Sequence, residues 1–422
     1  MKVIVFPHDL EMGGSQLNAI EIAGAVRDLG VETTIFGRRG ALNTRIAELG
    51  LDFVEAPRPR LHPTPAVVSA LRHLAADRGA TVLHGYEWPP ALECYAASVG
   101  LRATVAVSTV MSMSVAPFIP RQMPLLVGTE QIAHAERVAG RPDVGVLEPP
   151  VDLAHNAPLD EREVAAFRRE YGIDAQDFLI VCVSRLAQEL KAEGIITAIT
   201  AVADLPPAWR VRLIVVGDGP AHNKIGCAAA AANGRAGRAA VTLAGQLADP
   251  RPAYAAAEAV LGMGGSALRA LAFARPLIVQ GEQGFFSLLD EDTAPTFFWQ
   301  GWYGVGQDPA EGQGVFTQIV RRLVSDPGLR RRVGALGHRL VVDRFSLTAA
   351  ARRQIEFYTR AEQDQAGTAR LVASGGAALP GYALYEGDRR LRRAFGRGAA
   401  DDFNSSPVAA RRVPPDRRRT GR

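Results

Sequence analysis

Lysine is nearly missing from this sequence. Of 48 basic residues only Lys2, Lys191 and Lys224 are lysines. Arginine is the default cation, so a lysine marks a place where a compact point charge is wanted. Cysteine is as scarce: Cys94, Cys182 and Cys227 are far apart and form no CxxC pair. That spacing excludes a disulfide framework and a cysteine-built metal site, and it suits a reducing compartment. His155, His222 and His338 have no partner at ligand spacing, so no metal is expected. There is no GxSxG elbow, Walker loop or HExxH helix. No stretch approaches the roughly 18 uninterrupted apolar residues of a spanning helix. The run Val3-Ile4-Val5-Phe6 is too short for the apolar core of a secretion signal and reads as a buried strand. The expected location is the cytoplasm.

What is present is ordinary for a globular chain. The 422 residues are 47% hydrophobic and 22% charged, enough for two or three domains. Charge is uneven. Residues 362–422 carry twelve arginines against seven acids, a net of +5, while the whole chain carries +4, so the body sums to −1. A near-neutral body predicts no specific nucleic-acid binding, and the basic tail leaves room for peripheral contact at the inner face of a membrane. Alanine and arginine richness points to a GC-rich, bacterial source.

Short apolar runs alternate with amphipathic stretches through residues 1–345, which predicts parallel sheets wrapped by helices. Strands are expected at Val3–Phe6, Glu32–Phe36, Asp52–Glu55, Thr81–His84, Thr104–Ser108 and Leu125–Gly128, and again at Phe178–Val183, Val211–Val216, Val241–Leu243, Ala259–Leu261 and Leu277–Val279. The break Glu148-Pro149-Pro150-Val151-Asp152 divides them. The expected α/β architecture is two doubly wound domains, 1–152 and 153–345, then a final helix over 346–365. Residues 366–422, rich in Gly, Ala, Pro and Arg without a period, are expected to lack order.

Four segments could carry chemistry. In Leu261-Gly262-Met263-Gly264-Gly265-Ser266-Ala267-Leu268-Arg269 a strand runs through glycines into a helix, an arrangement whose free amides hold phosphate. Ser184-Arg185-Leu186 and Lys191 follow another strand, and two cations there can clamp a diphosphate; the plainer reading pairs Lys191 with Glu189 or Glu193. Gly13-Gly14-Ser15 follows the first strand in the same way. His84 closes a strand in His84-Gly85-Tyr86-Glu87-Trp88, where it could act as an acid or base, although a lone histidine there is more often structural.

Taken in order, these segments resemble the GT-B glycosyltransferases, specifically the retaining glycosyltransferase family 4. The resemblance covers residues 1–361 and includes Val215-Val216-Gly217-Asp218-Gly219-Pro220 and Phe345-Ser346-Leu347. It implies two facing Rossmann-like domains, the N-terminal one binding an acceptor and the C-terminal one a nucleotide-sugar donor. It implies a hexosyltransferase without metal or other cofactor, the nucleotide-sugar being a substrate. Arg185 and Lys191 would hold the donor diphosphate, and Gly13, Gly14, Gly217, Gly264, Gly265, Ser266, Ala267, Leu268 and Arg269 would line the donor site. His84 would lie by the transferred sugar, and the final helix would cross back to the first domain. One departure stands out. The family's two glutamates, eight positions apart, fall at Leu261 and Arg269. Leucine cannot hydrogen-bond a sugar, and arginine can only donate.

Two other readings stay open. Gly262-x-Gly264-x-x-Ala267, with Glu282 twenty residues after Gly262, fits a dinucleotide fingerprint and would make the chain an NAD(P)-dependent oxidoreductase. A non-catalytic GT-B relative would keep the fold without turnover. For Arg269, a cation in the first turns of a helix opposes the dipole and calls for an anion. The donor phosphate, an acid on the donor sugar, or Glu282 are the expected partners.

Overall fold

The computed structural model describes residues 1–59, 62–394, 403 and 408. Its first sheet has seven strands: β1 (Lys2–Phe6), β2 (Glu32–Gly37), β3 (Asp52–Glu55), β4 (Val82–Tyr86), β5 (Val105–Val110), β6 (Leu125–Val127) and β7 (Val144–Val146). All pair in parallel, in the order β3-β2-β1-β4-β5-β6-β7. The second has β8 (Phe178–Val183), β9 (Val211–Val216), β10 (Val241–Gly245), β11 (Ala259–Gly262), β12 (Leu277–Gln280) and β13 (Phe286–Leu288), ordered β10-β9-β8-β11-β12-β13. Only β13 runs antiparallel.

The strands alternate between two buried faces. In β8, Phe178, Ile180 and Cys182 pack on one side and Leu179 and Val181 on the other. In β1, Ile4 and Phe6 face one layer of helices, Val3 and Val5 the other. Burial on both faces is why these strands read as continuous apolar runs, each fully buried large side chain contributing about 1.5–3 kcal/mol. Chain order reverses between β1 and β4 and again between β8 and β11. Those reversals open a crevice at the carboxyl edge of each sheet.

The sheets are joined by two segments running side by side. The Val151 amide donates to Phe345 O at 2.8 Å and the Leu347 amide to Val151 O at 3.1 Å. Arg344 grips Glu148 with two bonds, 2.8 and 3.0 Å. The helix Leu347–Gln363, capped by the Ser346 side chain, then buries Ala350, Ala351, Phe357 and Tyr358 against the Val3/Val5 face of the first sheet.

The expectation of disorder from residue 366 is corrected over Thr368–Ala394, which form a helix. Gly375, Gly376, Pro380 and Gly381 hide its period, but the inner face finds an aromatic partner surface. Tyr382 and Tyr385 pack on Trp88 and Phe118 with ring centroids 4.9–5.9 Å apart, and the Tyr95 hydroxyl donates to Leu371 O at 2.7 Å. Tertiary packing here outweighs the propensity cost of an internal proline, about 3 kcal/mol. The rest of that expectation falls on 395–422 and, apart from 403 and 408, lies outside the described residues. No helix among the described residues is long and apolar enough to cross a membrane.

Candidate functional site

Four helices start at the two chain reversals: Gly14–Asp28 after β1, Trp88–Ser98 after β4, Ala192–Asp204 after β8 and Gly265–Ala272 after β11. None of the four has a side-chain cap. Elsewhere Thr129, Asp160, Asp326 and Ser346 each cap a helix, while six other helices also lack a side-chain cap. Three of these N-termini, at Gly14, Ala192 and Gly265, present amides to the crevice; in the fourth, Pro89 and Pro90 follow Trp88 and have no N–H to offer an anion.

On the second sheet, β8 and β11 are neighbours, with Leu261 in register with Cys182. Their following loops adjoin, and Leu190 packs with Met263 and Tyr303. Arg185 is exposed and Lys191 half-buried. Neither side chain has an ion pair or hydrogen bond among the described residues, and the glutamates that could have neutralised Lys191 do not pair with it: Glu193 accepts from the Gly284 amide at 2.9 Å. Burial lowers the Lys191 pKa; the Cys182 thiol opposes this and the Arg185 charge adds to it. Two uncompensated cations thus stand beside an uncapped helix.

In the glycine loop, Gly264 has φ +56° and ψ −136°, a conformation open to glycine alone. Its amide donates to Trp302 O at 2.8 Å, and the Ala267 and Leu268 amides close onto Gly264 O at 3.1 and 3.3 Å. Of the expected cradle, the Gly265 and Ser266 amides remain without an acceptor among the described residues. Gly264, Ala267 and Leu268 shape the turn instead. At Gly217 a Cβ would stand 1.9 Å from Ser184 O, so this glycine lets the β9 loop pack under the segment carrying Arg185.

Arg269 does not meet Glu282. Glu282 takes the Tyr303 hydroxyl at 2.5 Å and the Leu190 amide at 3.3 Å, so both oxygens of the acid that the dinucleotide reading requires are engaged. Arg269 Nη1 lies 3.8 Å from where a Cβ on Gly265 would stand, over the start of its own helix, and its charge is also felt across in the first domain. Burial raises the pKa of Glu21, on the helix Gly14–Asp28, and Arg269 is the largest charge opposing that rise, followed by Arg45. Leu261 is fully buried in β11.

On the first sheet, Gly13 is the N-cap of the helix beginning at Gly14. His84 is a correction: it is fully buried, with Nδ1 2.7 Å from the Tyr358 hydroxyl and Nε2 2.8 Å from the Thr109 hydroxyl. It pins the final helix to β4 and does not reach the crevice. Burial depresses its pKa to about 3. The folded state then keeps it neutral while the unfolded chain takes up a proton below its ordinary value of 6.5. Stability from this site is complete above pH 6.5 and falls toward pH 3 by about 1.4 kcal/mol per unit. Between pH 7 and pH 5 the wild type should lose roughly 2 kcal/mol more than His84→Gln in urea unfolding; equal losses would contradict the assignment.

The side chain that does reach the rim is Glu87, three residues on. Its backbone has φ +65°, rare for a non-glycine residue. Its carboxylate accepts from Ser15 Oγ at 2.8 Å, the Met111 amide at 3.0 Å and Ser112 Oγ at 2.8 Å. A strained, nearly buried acid tied to the Gly13-Gly14-Ser15 loop marks a positioned group. Nothing in sequence spacing flagged it, although it lay within the segment built around His84. His8 and Asp9 form a second cluster, 3.0 Å apart. Burial works against the Asp9 charge, but hydrogen bonds from His8, Gln16 and the Glu11 amide hold its pKa at about 2.

The two rims meet. Met113, from the loop after β5, packs with Leu190, Met263 and Tyr303 of the second domain, and His134 lies 5.7 Å from Trp299 ring to ring. Among the described residues no group of three or more His, Cys, Asp or Glu side chains could hold a metal ion.

Residues 177–298 match the family described as glycosyl transferases group 1. That segment includes Arg185, Lys191, Gly217 and the 261–269 loop. No curated protein matches the chain in sequence. Among solved structures, Alr3699/HepE from Anabaena in complex with UDP has a TM-score of 0.69 at 16% identity, over 85% of this chain and 100% of that one. A glycosyltransferase from Rickettsia africae has a TM-score of 0.70 at 14% identity, covering 86% and 99%. MnaA from S. aureus, bound to UDP, has a TM-score of 0.57 at 12% identity, covering 85% and 97%. The α/β architecture is that of GT-B glycosyltransferase structures.

Proposed function

We propose that this chain is a glycosyltransferase that moves a hexose from a nucleoside-diphosphate donor to an acceptor hydroxyl, with retention. The observation that carries the proposal is the pair of cations Arg185 and Lys191, without an ion pair among the described residues, on the loop after β8, whose Leu190 packs on Met263 of the glycine loop that opens the uncapped helix Gly265–Ala272. Cations and open amides stabilise a leaving diphosphate as charge develops on it. The bond from the anomeric carbon to phosphate oxygen breaks, a bond to the acceptor oxygen forms, and the acceptor proton passes to the leaving phosphate. No protein side chain is needed as nucleophile. Glu87, fixed from three sides, would orient the acceptor or the sugar from the opposite rim. The replaced glutamates change the sugar and ribose contacts rather than the diphosphate seat.

UDP is the first nucleotide to test, because the Anabaena relative is solved with UDP and with UDP-glucose. A melting-temperature screen of UDP, GDP, ADP, dTDP and NAD separates the readings. A ligand at one hundred times its Kd adds about 2.7 kcal/mol to the folded state. Stabilisation by one nucleoside diphosphate and none by NAD is expected; stabilisation by NAD alone would favour the oxidoreductase.

A further inference from the structure

A carboxylate–histidine pair that the transfer chemistry above does not use lies in the first domain. Glu93, on the helix Trp88–Ser98, is fully buried. Its two oxygens accept from the Thr64 amide, each at 2.8 Å, and Oε1 lies 3.0 Å from His62 Nδ1. A carboxylate only accepts, so Nδ1 donates and the neutral ring leaves Nε2 as an acceptor. Nε2 has no hydrogen bond among the described residues, and the His62 side chain is 23% exposed. The residue is fixed on other sides too. Its ring stands edge-on to the Trp88 indole with centroids 5.3 Å apart, and its amide donates to the Tyr382 hydroxyl at 3.3 Å. His62 follows β3, and Trp88 follows β4 directly after Glu87, so all three occupy the carboxyl edge of the first sheet.

Glu93 also ties the start of the helix Pro65–Arg78 to its own helix through Thr64. That tie alone does not call for an acid, since an apolar contact would make it without burying a charge. What the acid adds is a fixed orientation and tautomer for the imidazole. The surroundings set the charge of what the imidazole can meet. Arg389 lies 6.0 Å over the Trp88 ring, but Glu386 pairs with it at 2.6 Å and with Arg390 at 3.9 Å. Glu93 and Glu386 thus balance Arg389 and Arg390, and no cation is left over for a phosphate, in contrast to Arg185 and Lys191. A neutral seat with one accepting nitrogen beside a half-buried indole suits a neutral, hydroxyl-bearing ring with an apolar face, a pyranose.

We propose that His62 Nε2 accepts the hydrogen bond of a pyranoside hydroxyl, with Glu93 as the positioning residue that aims the ring, and that the acceptor of the transfer is a neutral sugar. Only the word acceptor rests on the transferase reading; the binding of a sugar here does not.

The test uses the full chain, the methyl glycosides of glucose, galactose, mannose and N-acetylglucosamine as probes, and two variants. An asparagine amide reaches about where Nδ1 stands and a glutamine amide about where Nε2 stands. His62→Asn therefore keeps a partner for Glu93 and loses the outer nitrogen, while His62→Gln keeps the outer polar atom. At least one glycoside is expected to shift the His62 Nε2 resonance in ring-nitrogen NMR. Its affinity should fall about tenfold in His62→Asn and less than about threefold in His62→Gln, as for loss of one hydrogen bond. UDP affinity should be unchanged in both variants. A pair that only braces the helices gives the reverse: His62→Asn binds the glycoside as the wild type does, and His62→Gln melts lower. That reversal, or an Nε2 resonance that none of the probes moves, would overturn the proposal. Failure of the wild type to bind any nucleoside diphosphate would strike the donor reading instead and leave the sugar result standing.

Discussion

Replacing Lys191 with alanine is expected to lower nucleoside-diphosphate affinity roughly 10- to 100-fold, about 1.5–3 kcal/mol, the worth of a hydrogen bond to a charged group. Lys191 is the N-cap of the helix Ala192–Asp204 and is half-buried there without a carboxylate partner. A buried cation without an anion is costly to maintain, so the site gains when a phosphate supplies one. Burial, with the Arg185 charge adding to it, already lowers the lysine's pKa. Affinity should therefore begin to fall at a lower pH than for an ordinary lysine as the solution is made alkaline. Uridine, which lacks phosphates, should bind the variant and the wild type alike. Titration calorimetry with UDP and uridine decides this, and parallel losses for both ligands would remove Lys191 from the diphosphate seat.

Gly217→Ala should be more damaging to the fold than any substitution in the crevice. The residue has φ +130°, and its Cβ would stand 1.9 Å from Ser184 O and 2.9 Å from Ser184 C. Backbone strain alone costs about 1–3 kcal/mol, and the collision must also push the Ser184-Arg185-Leu186 segment off β9, breaking the Ser184 amide to Val216 O bond of 2.9 Å. A total of roughly 4–5 kcal/mol is expected, a large part of a typical domain's stability. Gly234→Ala is the control. Nothing lies within 4 Å of its Cβ, and it sits inside the helix His222–Ala236, so a gain of about 0.5–1 kcal/mol is expected. Similar melting temperatures for the two variants would refute the packing role of Gly217.

The strands that position the crevice were legible because burial on both faces writes itself as an unbroken apolar run, as in Phe178–Val183. The glycine turns were legible because few residues adopt the conformation seen at Gly264. Other features depended on contacts distant in sequence. β13 spans three residues and exists through its antiparallel pairing with β12. The helix Thr368–Ala394 is held by Trp88 and Phe118, far away in the chain. His84 reads as a rim residue until Tyr358, 274 positions later, covers it. Glu87 shows its character only through a backbone angle and three donors, none of which has a spacing rule. For Arg269 the sequence pointed to a donor phosphate, an acid on the donor sugar or Glu282, while the carboxylate on which its charge acts, Glu21, comes from the other domain.

A diphosphate is expected to sit between Arg185, Lys191 and the first turn of Gly265–Ala272. A crystal structure of the chain with the nucleoside diphosphate that stabilises it most tests this directly. Phosphate oxygens are expected within hydrogen-bond distance of Lys191 Nζ, the Arg185 guanidinium and the Gly265 and Ser266 amides. Phosphates seated elsewhere, with these groups still unpaired, would contradict it.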